Sequence, residues 1–175
     1  MRSRTLSAGP DDARCEDGVS DVVAVVIEGA RRRAVRDGDA QIDTAHLLHG
    51  LLESDPEVRD AFPGGPPQVI RLLGYLVQRA IGYGLRWSGT VEDSGAAPPA
   101  GGGMAGWSPA AAAALEAAVR RAASRGASRA VGLDLLAAFV HDRECRAMEV
   151  LRRAGVAVEP LVTALAGETC QQSSG

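Results

Sequence analysis

Asp43, His46 and His49 follow one another at intervals of three, so one helix face could carry a carboxylate and two imidazoles. That is ligand chemistry for a zinc-like ion, but no further strong ligand lies nearby and His49 falls among leucines, so both histidines read as structural. Serine, histidine and aspartate all occur, yet no serine stands in a G-x-S-x-G or comparable frame. The 175 residues include no lysine, which removes Schiff-base chemistry, a serine–lysine pair and the phosphate-contacting lysine of a G-x-x-x-x-G-K-[ST] loop. Cys15, Cys145 and Cys170 are odd in number, widely separated and without the paired spacing of a zinc or redox site, and read as free thiols. What remains is recognition: the sequence is that of a non-enzyme without metal or cofactor.

The elements that must present such a surface are helices. From Val22 to Leu52, Val23, Val26, Ile27, Ala30 and Ala34 recur at helical spacing with Glu28, Arg31, Arg32 and Arg36 on the other face, and Glu28 can pair with Arg32. A break at Asp37-Gly38-Asp39 and an extended Gln41-Ile42-Asp43 lead to Thr44 as N-cap of a second helix carrying Leu47, Leu48, Leu51 and Leu52. A weaker copy runs from Ala110 to Val140: Ser108-Pro109 opens it, Gly126 breaks it, and Ala130-Val131-Gly132-Leu133-Asp134 aligns with Gln41 to Ala45, which places Leu136 on Leu47. Such self-similarity at long period means one duplicated unit packed on its copy.

Each copy continues with a short and a medium helix. In the first, Asp55-Pro56 starts the short one and Pro66-Pro67 the medium one, whose apolar face is Val69, Ile70, Leu73, Leu76, Val77 and Ala80. In the second, the short helix holds Met148 and Leu151, and the last begins at Pro160. The expected fold class is all-α, a pseudo-twofold bundle of two four-helix repeats. Residues 1–19 and 167–175 read as disordered tails, 20–166 as one domain with repeats at 20–81 and 108–166, and the Gly-, Ala- and Pro-rich 82–107 as a flexible linker.

Composition fits that fold: 46% of residues are hydrophobic and 3% aromatic, so the core is Leu, Val, Ile and Ala. With a net charge of −3 nothing draws the chain to nucleic acid, and Arg31-Arg32-Arg33 point in different directions on a helix. No secretory signal and no spanning segment is legible, and the cytoplasm is the expected compartment.

The run Ile42-Asp43-Thr44-Ala45-His46-Leu47-Leu48-His49-Gly50-Leu51 set against I-G-T-E-H-I-L-L-G-L, Ser108-Pro109 set against a T-P pair, and Val131-Gly132-Leu133-Asp134-Leu135-Leu136 carry a resemblance. The chain resembles, from Ser20 to Ala166, the N-terminal domain of Clp-type protein unfoldases, a duplicated four-helix module. The resemblance implies docking: such domains sit above the unfoldase ring and bind adaptors or client proteins, some recognise phosphorylated arginine, and none performs chemistry. Nucleotide sites lie in later modules of those proteins, which implies a free-standing version here. In the phosphoarginine readers the glutamate of each G-T-E-H receives the guanidinium, and the matching positions are Ala45, which cannot accept, and Asp134. Asp134 either keeps that role one methylene shorter or is a carboxylate favoured by its helix dipole. Cyclic peptide antibiotics bind some relatives, which implies sequestration of a peptide-like small molecule as the alternative to a Clp adaptor, accessory or decoy.

Overall fold

Ser20 sits with extended backbone ahead of an apolar periodic run, and its hydroxyl accepts from the Val23 N–H at 3.4 Å, so helix α1 (Asp21–Asp37) begins there. The structure is a computed structural model that describes residues 17–80, 92 and 106–172, and every regular element in them is helical. After α1 come α2 (Thr44–Ser54), α3 (Pro56–Asp60), α4 (Gly65–Ala80), α5 (Pro109–Ser124), α6 (Gly132–His141), α7 (Arg146–Arg153) and α8 (Val158–Gln172). Among the described residues no helix is long and apolar enough to cross a membrane.

The two halves share several features. α1 ends on Gly38 and α5 is followed by Gly126, both left-handed at φ 73° and 74°, a conformation that costs glycine little. The buried stripe of α1 is Val23, Val26, Ile27, Ala30 and Ala34; at the offset that carries Ser20 onto Ser108 it falls on Ala111, Ala114, Leu115, Ala118 and Ala122, all buried in α5.

Short reciprocal pairings stitch the halves. Ile42 N–H donates to the Gly106 carbonyl at 2.7 Å and Ser108 N–H to the Ile42 carbonyl at 2.9 Å; in the mirror arrangement Ala130 N–H donates to Gly18 and Ser20 N–H to Ala130, both at 2.8 Å. Each α1-type helix therefore starts against the strand-like residue that precedes the other half's α2-type helix.

Several sequence expectations shift. The N-cap of α2 is Asp43, one residue before Thr44: its carboxylate accepts from His46 N–H at 2.8 Å while His46 Nδ1 accepts from Asp43 N–H at 3.1 Å, a closed capping box; with Thr44 at the cap the N3 residue would be Leu47, which has no acceptor to return the bond. Glu28 pairs with Arg31 at 3.5 Å rather than with Arg32, because Arg31 is tucked over the Trp107 ring. In α4 the buried stripe is Val69, Leu72 and Leu76, and Ile70 (68% exposed) and Val77 (49%) face outward. Val19, assigned to the leading tail, is buried and bridged to Ala130, and α8 runs on to Gln172. Of the expected linker, residues 82–91 and 93–105 lie outside the described ones, as do residues 1–16 and 173–175 of the tails, while Trp107 is buried at the seam.

Gly132 opens α6 where the halves meet: a Cβ there would collide with the Asp55 carboxylate and stand 2.9 Å from a Val58 methyl. Gly132→Ala is therefore expected to destabilise the fold by about 2–3 kcal/mol despite alanine's better helix propensity, read as a lower urea midpoint at unchanged m-value.

Candidate functional site

Helix N-termini crowd the seam, and each brings backbone N–H groups that have no partner inside their own helix. At one end the Glu92 carboxylate, 4% exposed, accepts from Thr44 N–H at 2.9 Å, the Thr44 hydroxyl, the Ser108 hydroxyl at 2.6 Å and Arg146 N–H at 2.7 Å. It thus bridges the starts of α2, α5 and α7. Beside it Arg146 donates to Asp43 at 2.8 Å, with Asp43 fully buried, and Ala147 N–H donates to the Thr44 hydroxyl at 2.9 Å. At the other end the same work falls to Asp55, which caps α3 by accepting from Glu57 and Val58 N–H at 3.0 and 3.2 Å and packs on Gly132. The residue that caps α7 in the place of Asp55 is Cys145, whose sulfur accepts from Met148 N–H at 3.4 Å but offers no carboxylate. Burial pushes the Cys145 thiol up to about 12, so it is a structural cap rather than a nucleophile.

The residues set out as a phosphoarginine-type pair are not equivalent in the fold. Ala45 is the second residue of α2 and fully buried. Asp134 is the third residue of α6, matching His46: its carboxylate closes the cap by accepting from Val131 N–H at 3.0 Å. The residue that matches Ala45 is Leu133, and Leu47 matches Leu135, one position from the alignment read in the sequence. Neither second position therefore offers a carboxylate. Asp134 is itself held by both Arg125 nitrogens, one at 2.9 Å, and by Arg121 at 3.4 Å, and its hydrogen bond holds the Arg125 guanidinium more firmly protonated.

The histidines divide between two networks. His46 Nδ1 accepts the cap hydrogen bond, so in the neutral ring Nε2 carries the proton, 3.0 Å from Asp39. Asp37, Asp39 and His46 bring ligand atoms within 4.8 Å of one another, but a protonated Nε2 has no lone pair to give a metal. His49 Nε2 lies 3.1 Å from Glu53, which also binds Arg33. Burial, then the Arg33 charge, pushes His49 down to about 4. Burial raises Glu53, but the Arg33 hydrogen bond and charge outweigh it and leave Glu53 below its ordinary value.

Among the described residues a groove of about 820 Å³ runs along α5 and α6. Its floor is Ala113, Ala114, Ala117, Ala138 and Phe139, its α5 edge carries Arg120 and Arg121, and Asp142 and Glu144 stand past the end of α6. Small side chains on the facing helices make the floor of the trough apolar. The sequence displays the alanines openly, yet nothing in their run tells which of them face outward between two helices.

No protein-family model matches this sequence, and no curated protein resembles it significantly. The fold is nonetheless found in solved structures. The N-terminal domain of the caseinolytic protease associated chaperone ClpD from Arabidopsis thaliana superposes with a TM-score of 0.60 at 17% identity, over 95% of this chain and 98% of that one. The Hsp104 N-terminal domain from Candida albicans gives 0.61 at 14% identity, over 85% and 89% of the two chains. A protein from structural work on a malarial secretion system gives 0.59 at 14% identity, over 86% and 94%. The chain has the all-helical fold of the N-terminal domains of Clp-type unfoldases.

Two outcomes follow from this geometry. Glu92→Ala leaves buried donors on three helices without an acceptor and is expected to cost about 2–4 kcal/mol in urea unfolding, with Glu92→Gln losing less. The second concerns acid. Because folded His49 titrates near 4 and the unfolded residue near 6.5, the unfolded chain binds more protons between those values, so stability is full above about pH 6.5 and declines toward pH 4. The loss is at most about 3 kcal/mol, and His49→Gln should flatten this part of a melting-temperature profile.

Proposed function

We propose that this protein is a docking module that works by binding rather than by chemistry, engaging adaptors or client polypeptides of a Clp unfoldase–protease in the cytoplasm. The observation that carries the reading is the coverage: nearly the whole chain and nearly the whole ClpD domain superpose, so what the two share is the complete module. The apolar trough on α5 and α6 supports it, since a rigid helical frame with a methyl-lined floor and charged edges is what recognition of a polypeptide requires. Phosphoarginine is not its principal ligand, because Ala45 and Leu133 cannot receive a guanidinium and Asp134 is already committed to two arginines.

The same trough supports a second reading, the sequestration of a peptide-like small molecule such as a cyclic peptide, whose size suits a cavity of about 820 Å³. One experiment separates the two. Purified protein is added to a Clp unfoldase–protease, and degradation of an adaptor-dependent and of a directly engaged substrate is followed. A decoy is expected to slow only the first, and an adaptor to speed selected clients. No change in either, without binding to ring or adaptor, overturns the docking reading and leaves sequestration.

A further inference from the structure

The trough has a counterpart. A smaller groove of about 340 Å³ lies on α1 and α2, lined by Val25, Gly29, Arg32, Arg33, Arg36, Gly50, Glu53 and Ser54. At the offset that carries Ser20 onto Ser108, these eight positions fall on residues of the larger groove, with Arg32 on Arg120, Arg33 on Arg121, Gly50 on Ala138 and Glu53 on His141. The molecule thus carries one groove twice, and the copies differ at a few side chains. In the first copy Arg33 of α1 reaches across to Glu53 of α2, and the pair ties the walls together. In the second copy His141 stands where Glu53 would be, and Arg121 turns instead to Asp134 and to the Leu165 carbonyl at 3.4 Å. Ala113 for Val25 and Ser124 for Arg36 widen the second copy further.

We infer that the α5–α6 groove is the binding member of this duplicated pair, that the Arg33–Glu53 ion pair keeps its α1–α2 counterpart too narrow to bind, and that the occupant is an extended, apolar polypeptide segment with a carboxylate at one end and a cation at the other. This rests on the docking reading and names its site and ligand class. The ends follow from charge. Arg120 is exposed and meets Glu116 at only 3.6 Å, a surface pair worth little, so it is available to a carboxylate; at the far end Asp142 and Glu144 stand against the single cation Arg143, and the acidic excess suits a cation. The apolar middle follows from the alanine and phenylalanine floor.

The test uses the full chain and a fluorescein-labelled decapeptide of leucine and alanine with a free amino terminus and a glutamate near its other end, with circular dichroism confirming that each variant folds. The unaltered protein should bind one peptide. His141→Glu, which offers Arg121 the partner that Arg33 has, and Ala117→Leu, which fills the floor, should each weaken binding at least tenfold. His141→Gln should bind as the parent does. Glu53→His should release Arg33 and raise the stoichiometry from one to two, and lysine in place of the peptide's glutamate should weaken binding severalfold. Unchanged affinity in both His141→Glu and Ala117→Leu overturns the groove as the site, and a stoichiometry fixed at one in Glu53→His overturns the ion-pair lock. A protein that binds no such peptide yet alters adaptor-dependent degradation overturns this inference and leaves the docking role standing. Peptide binding as expected, without effect on an unfoldase, overturns the docking role and keeps the groove.

Discussion

Buried helix starts need acceptors, and the two-repeat seam exists because carboxylates supply them. Unfilled N–H groups in a dry interface each cost about 1–3 kcal/mol, enough together to cancel the stability of a domain this size. Asp43 closes its own cap and anchors Arg146 of the other half, Glu92 gathers donors from α2, α5 and α7, and Asp55 caps α3 against Gly132. Hydrophobic burial of Leu47, Leu51, Leu135 and Phe139 supplies the drive to associate, but it is not directional. The carboxylates fix which register the two halves adopt.

Much of the fold was legible because its determinants are local. Ser20 and Ser108 announce caps, Gly38 and Gly126 announce stops, and the apolar stripe of α1 reads directly. The second repeat was misread by one position from Ala130 on, since a run of leucines and alanines accepts two registers and only the cap bonds of Asp43 and Val131 choose between them. The shift bears on Asp134, which the sequence left open between a ligand and a helix-start carboxylate and which in the fold accepts from Val131 N–H and meets Arg121 and Arg125. Glu92 and the groove contrast were out of reach for another reason. Both depend on residues far apart in the chain, and neither Glu53 nor His141 is distinctive until the groove positions of the two halves are matched.

Identity of 14–17% alongside whole-chain superposition with Clp N-terminal domains says which features the fold demands. The backbone course of the helices survives at that identity, whereas most side chains have changed. A scaffold with two copies of one surface suits that freedom, because one copy can drift while the other retains contact. Here the first copy holds an arginine, a glutamate and a histidine that is neutral at pH 7 close together.

Glu92 also bears on how the chain could be divided. It precedes the second repeat in sequence yet caps two helices of that repeat and one of the first. Two polypeptides made by cutting the chain between Glu92 and Gly106 would each carry one repeat, and the amino-terminal fragment would bring the acceptor that its companion's Cys145 cannot provide. A cut placed before residue 92 would move that acceptor to the other fragment, leaving Thr44 unmet until the pieces meet. Complementation between halves is therefore asymmetric by construction.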